Sequence, residues 1–341
     1  MRSVDVHTHL LPPELPRWSE RFGYGGFIRL EQIGGCKARM VRDDGVRFRE
    51  VESNLWDPAV RLRECDEAGV GVQVLSTVPV MFSYWVREPR HALDVARFLN
   101  DHLASVCAAH PRRFVGLATL PLQAPDLAAR ELIRCVRDLG LAGAQIGSHV
   151  GDWNLDRPEL FPVFAEAEEL GAAIFVHPWD MMGQERMTKY WLPWLVGMPA
   201  EVSQAICSMI FGGVLERLTA LRICFAHGGG SFAATLGRIQ RGFECRPDLV
   251  AADNPHPPSR YLGRFWVDSL VHDPRILRLV VDTFGARRVS LGTDYPFPLG
   301  EDRPGALIRS LELADGGARD ALLTSNALEW LGREARELDL A

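Results

Sequence analysis

Several things are missing from this sequence, and each absence closes off a class of protein. There is no Cys-x-x-Cys. Seven cysteines, an odd number, are scattered at 36, 65, 107, 135, 207, 224 and 245. That pattern suggests neither a thiolate metal site nor a disulfide framework. Positive charge is not in excess: the net charge is -6, which gives no electrostatic case for nucleic acid or an anionic membrane. The longest apolar region, 70–82, is too short and too broken to span a bilayer. No Gly-x-Gly-x-x-Gly follows the first apolar strand, which removes the dinucleotide-binding fingerprint. No short-period repeat, low-complexity linker or signal peptide is evident. What remains is an ordinary globular composition of 341 residues, 47% hydrophobic and 24% charged. A reduced, cytosolic protein is expected.

What is present has a rhythm. A short apolar strand spans Val4 to Val6, and further runs of strand length fall at 70–77, 114–120, 142–148, 172–178, 222–227, 264–270 and 288–294. Helical patterns precede strands two to five at 58–68, 90–110, 125–139 and 158–170. Near-continuous apolar strands alternating with amphipathic helices specify a parallel sheet covered on both faces. Eight such units in one chain predict a (β/α)8 TIM barrel spanning residues 1–341 as a single domain. A doubly wound open sheet is the competing architecture. Residues 11–56 form an insertion after strand 1. Asp44-Gly45 between 37–43 and 46–51 predicts a β-hairpin within it. The tail, 306–341, reads as helical and charged, packed on the outer ring.

The chemistry sits where barrel strands end. His7 and His9 close strand 1, two residues apart and therefore on one face. His177 closes strand 5, His227 strand 6 and Asp294 strand 8. Taken singly, each is an ordinary polar residue at a strand end. Together, three imidazoles and a carboxylate make a nitrogen and oxygen donor set suited to Zn2+, with a fourth histidine left over as a base. Strand 4 ends Gln145-Ile-Gly-Ser-His149, with neither a Lys nor a Glu at its end. His149 itself reads as a satisfied loop histidine.

Motifs along most of the chain carry a resemblance. They are Asp5-Val-His-Thr-His9, Leu55-Trp-Asp-Pro58, Thr77-Val-Pro-Val-Met-Phe82, Val176-His-Pro-Trp-Asp-Met-Met182, Tyr190-Trp-Leu-Pro-Trp-Leu-Val196, Ala226-His-Gly-Gly-Gly230 and Leu291-Gly-Thr-Asp-Tyr-Pro-Phe-Pro-Leu-Gly-Glu301. On these the chain resembles the amidohydrolase superfamily of metal-dependent barrels, and within it the non-oxidative decarboxylases. The resemblance implies one Zn2+ per chain, held by His7, His9, His177 and Asp294. It implies His227 as general base, with Asp294 a second group able to return a proton. It implies a small dicarboxylate substrate bearing an amino-diene and a semialdehyde, from tryptophan catabolism by the kynurenine route. Arg49 and Trp191 match substrate-binding residues. Arg238 and Arg246 match arginines that a homodimer delivers into the neighbouring subunit's site.

Other activities compete. A decarboxylase of hydroxybenzoate-type aromatic acids shares most of these ligands, as does a hydrolase acting on a lactone or amide. A metal-binding scaffold without catalysis is a third reading, disfavoured because every ligand and the base are retained.

Overall fold

The computed structural model describes residues 2–313 and 316–340. The other four residues, three of them in the expected tail, lie outside the described residues. In chain order the first strands are β1 (Ser3–Leu10), β2 (Ile28–Gly34), β3 (Lys37–Arg42), β4 (Arg47–Glu52), β5 (Val70–Thr77), β6 (Phe114–Thr119) and β7 (Gly143–Gly147). Then come β8 (His149–Val150), β9 (Trp153–Asn154), β10 (Ala173–His177), β11 (Arg222–Phe225), β12 (Trp266–Asp268) and β13 (Val289–Ser290).

Eight strands form one parallel sheet in the order β1-β5-β6-β7-β10-β11-β12-β13. The two edges meet. Val6 N donates to Leu291 O, Asp294 N to His7 O and His9 N to Tyr295 O, each at 2.8 Å. These bonds close the sheet into the expected (β/α)8 barrel. The helices fall where the apolar spacing put them. Pro58–Ala68 and Pro89–Ala109 begin with proline, whose missing N–H costs nothing in a first turn, behind the capping side chains of Asp57 and Glu88. Pro125–Arg137 buries Ala128, Glu131, Leu132 and Cys135, one face at helical spacing.

Three elements differ from the sequence reading. The insertion is a three-stranded antiparallel sheet, β2-β3-β4, rather than a single hairpin. The Asp44-Gly45 turn is present, and Gly35-Cys36 makes a second one between β2 and β3. Met40, Val51 and Leu55 of this unit pack with Val95 and Leu99 of the helix Pro89–Ala109. That contact holds the small sheet over the barrel mouth. The tail packs on the outer ring only in its first part, where Ile308 and Leu311 cluster with Leu277 and Val281 of the helix Pro274–Phe284. Trp330 and Leu331 join Val4, Val74, Phe175 and Trp266 in one cluster, with the Trp330 and Phe175 rings 5.9 Å apart. The end of the tail therefore plugs the barrel floor. Finally, Pro193–Phe211 is long and apolar enough to cross a membrane by length and composition, with a mean hydropathy of 1.2. Its Val202, Ala205, Ile206, Met209 and Ile210 are buried in the protein core.

Candidate active site

His7, His9, His177 and Asp294 meet at the carboxyl rim, with one potential ligand atom from each lying within 4.8 Å of all the others. The way His7 and His9 get there is not simple alternation. Val4 and Val6 already face the barrel interior, so an unbroken strand would turn His7 and His9 outward. The pairing of β1 with β5 slips between Asp5 and Thr8, where two residues of β1, Val6 and His7, face one of β5, Val74. This bulge reverses the phase and aims both imidazoles inward.

Each ring is fixed by its other nitrogen. His9 Nδ1 donates to Thr77 O and His177 Nδ1 to Pro178 O, both at 2.9 Å. A carbonyl only accepts, so Nδ1 carries the proton and Nε2 keeps its lone pair. His7 Nδ1 lies 2.7 Å from Asp268 Oδ2. All three Nε2 atoms are buried and, among the described residues, lack a hydrogen-bond donor or acceptor other than the Asp294 carboxylate, whose Oδ1 lies 3.0 Å from His9 Nε2. Burial pushes His9 and His177 below their ordinary values, which favours neutral rings. For His7 burial acts the same way, but the carboxylates of Asp294 and Asp268 outweigh it and the net shift is upward. Asp294 is held far below the usual carboxylate range, against its own burial, by His7 and His9. Three convergent imidazole nitrogens and one ionised carboxylate fit a single divalent ion.

His227 lies beside this set, its ring 5.2 Å from that of His7 and 5.1 Å from that of His177. Burial, then His7, pushes it down to about 4, so it is uncharged at neutral pH and able to accept a proton. Its backbone is left-handed, φ 55°, as is that of Asp294, φ 58°. Such conformations cost ~1–3 kcal/mol each and persist only where surrounding structure imposes them. Gly228, also at positive φ, is where the turn must be smallest: a Cβ there would overlap Val271.

A narrow cleft opens above the candidate ligands, lined by His9, Arg49, His177, Trp191, Asp294 and Phe297 among others. Arg49, on β4, lies with its guanidinium carbon 4.4 Å from the Phe297 ring centroid. It has no ion pair or hydrogen bond among the described residues, and burial lowers its pKa. Among the described residues it is the only arginine or lysine lining the cleft. Trp191, left-handed at φ 56°, packs on Trp194 at 5.9 Å between ring centroids. Arg238 and Arg246 do not line this cleft. Arg238 is exposed on the helix Phe232–Cys245 with no partner among the described residues; Arg246, just past that helix, is exposed and paired with Asp248 at 2.6 Å. His149 is held between the carbonyls of Gly151 and Asp180, at 2.9 and 3.0 Å, away from the ligands.

Sequence reasoning missed three supporting residues. Asp268 faces His7. Asp5 accepts from Thr293. Gln145 donates to Thr77 O at 2.9 Å, the carbonyl that orients His9, and accepts from Ser76 Oγ at 2.7 Å. A charged or amide side chain inside an apolar strand was the available signal, since such groups stay buried only when paired.

A closed barrel with this donor set on its carboxyl rim defines a metal-dependent enzyme of the amidohydrolase family, to which the chain belongs: that family's sequence profile matches residues 4–333. The chain is similar to the 2-amino-3-carboxymuconate-6-semialdehyde decarboxylase of Dictyostelium discoideum, 56% identical over 329 residues, 96% of this chain and 91% of the relative. The protein of the same name from Caenorhabditis elegans is 40% identical, covering 97% and 94%. A solved dihydroxybenzoic acid decarboxylase from Polaromonas sp. JS666, with bound manganese, superposes with a TM-score of 0.76 at 20% identity over 99% of each chain. The protein is a decarboxylase of this family.

Proposed function

We propose that this protein is a cytoplasmic, zinc-dependent decarboxylase that converts 2-amino-3-carboxymuconate-6-semialdehyde to 2-aminomuconate-6-semialdehyde and CO2, without oxidation, in tryptophan breakdown by the kynurenine route. The observation that carries the reading is Arg49: an unpaired, half-buried guanidinium in the cleft directly above the candidate ligands. A fork of this kind suits a carboxylate, and little else offers it a partner there.

The donor set of His7, His9, His177 and Asp294 suits Zn2+; manganese, present in the Polaromonas structure, is the competing ion. When bound, such an ion supplies Lewis acidity at the rim. The chain's own residues do the rest. Arg49 binds and orients one carboxylate. CO2 can leave a vinylic carbon only after that carbon has been protonated or saturated, because the departing electron pair needs somewhere to go. His227 takes up a proton in its neutral form, and His227 or Asp294 returns one to carbon. Trp191 and Phe297 cover the substrate's planar diene.

A dianionic substrate calls for more positive charge than Arg49 supplies. Arg238 and Arg246, outside their own cleft, are assigned to the site of the neighbouring subunit in a homodimer. The test generates the semialdehyde in place from 3-hydroxyanthranilate with its dioxygenase. Loss of the substrate's absorption band should accelerate, with release of CO2, and metal analysis should give about one zinc per chain. Turnover of 2,6-dihydroxybenzoate instead would reassign the enzyme to aromatic acids.

A further inference from the structure

Asp268 is fully buried at the end of β12, and its two oxygens are divided between two parts of the site. Oδ2 lies 2.7 Å from His7 Nδ1. Oδ1 accepts from the amide of Gly228 at 2.8 Å and from that of Leu270 at 3.0 Å. Gly228 immediately follows His227, inside the left-handed turn. On the opposite side stands Gly292, where a Cβ would sit 2.7 Å from Asp268 Cβ and 2.9 Å from His7 Cβ. The backbone of the eighth strand is thus kept bare so that His7 and Asp268 can lie side by side.

We infer that Asp268 is a positioning residue that serves both halves of the site: it fixes the tautomer of His7, so that Nε2 presents a lone pair to the metal, and it pins the turn that presents His227. This rests on the reading of His7 as a metal ligand.

The two oxygens make the claim testable by a nearly isosteric change. In Asp268→Asn one oxygen becomes an NH2. Two backbone N–H groups face the Oδ1 position and can only donate, so the amide oxygen settles there. The NH2 is then left against His7 Nδ1. Both would be donors, so His7 must shift its proton to Nε2, the atom that faces the metal. A residue that served only to fill space would not register the substitution, because volume and backbone contacts are preserved.

The experiment compares zinc affinity of the unaltered protein and Asp268→Asn by competition with a chromophoric chelator, with circular dichroism and thermal melting as checks on folding. A loss of ~10–100-fold is expected, the usual range for the outer partner of a ligating histidine. Alanine at the same position should lose less affinity than asparagine, because it leaves the tautomer of His7 free. Equal zinc affinity in Asp268→Asn and the unaltered protein overturns the inference while leaving the metal site in place. Failure of the unaltered protein to bind zinc overturns the reading of the site itself. Should Asp268→Asn not fold, the zinc-loaded unaltered protein labelled with 15N-histidine decides. A slowly exchanging Nδ1–H on His7 supports the inference, and an Nε2–H there overturns it.

Discussion

Thr293 donates its hydroxyl to Asp5 Oδ2 at 2.6 Å and its amide to Asp5 Oδ1 at 3.1 Å, so the first and last barrel strands are locked together next to the candidate ligands. Asp5 stands two residues before His7, and Thr293 one before Asp294. Thr293→Val keeps the shape and removes one donor from a buried carboxylate. The expected cost is ~1–3 kcal/mol of stability, measured by urea unfolding, together with weaker zinc binding. An unchanged midpoint would mean that this seam does not brace the site.

His227→Ala should retain zinc, since three other imidazoles and Asp294 form the donor set. Activity should fall ~100-fold or more, the scale of general acid–base catalysis. Loss of the metal in this variant would make His227 a ligand instead of a base.

Subunit mixing tests the shared site. Arg238→Ala chains and His227→Ala chains, each inactive alone, are combined under conditions of subunit exchange. If Arg238 acts across the interface, each heterodimer regains one complete site. Verified exchange with no recovered activity would confine substrate binding to Arg49 and its own subunit.

The floor of the barrel makes a separate prediction. Trp330 is fully buried among Phe175 and its neighbours. Trp330→Ala should cost ~3–5 kcal/mol, the range for emptying a large aromatic site. Phe175 stands between Trp330 and the donor set, its ring 5.9 Å from that of Trp330 and 5.0 Å from that of His7, so zinc stoichiometry of the protein that remains folded should stay at one. A variant as stable as the parent would show that the tail is dispensable to the floor.

Acid sensitivity follows from Glu131. Burial alone would raise its pKa, but hydrogen bonds from Arg134 and Asn100 outweigh it, and the net shift is downward. A carboxylate depressed on folding stabilises the protein above its unfolded value of ~4.3, and that contribution is lost as pH falls through the lower folded value. Stability should therefore decline below about pH 4.3. In Glu131→Gln the decline should be shallower; identical acid limbs in chemical denaturation would assign the effect to other carboxylates.

Much of this molecule was determined by local sequence. Runs of apolar β-branched residues specified the eight strands, and helical spacing with proline and acidic caps specified the helices between them. The strand-end histidines and Asp294 were legible because a barrel strand can end in only one place, the rim. Short-range preferences could not supply what depended on other strands. The second turn, at Gly35-Cys36, carried no clear hairpin signal until β2 paired with β3. The tail's helical pattern carried no information about which apolar surface each part would cover: Ile308 and Leu311 went to the outer ring, and Trp330 and Leu331 to the open barrel floor. The bulge between Asp5 and Thr8 exists only as a register between β1 and β5. Alternation along β1 put His7 and His9 on a common face; pairing with a neighbour chose which face, because a one-residue slip reverses every side chain beyond it.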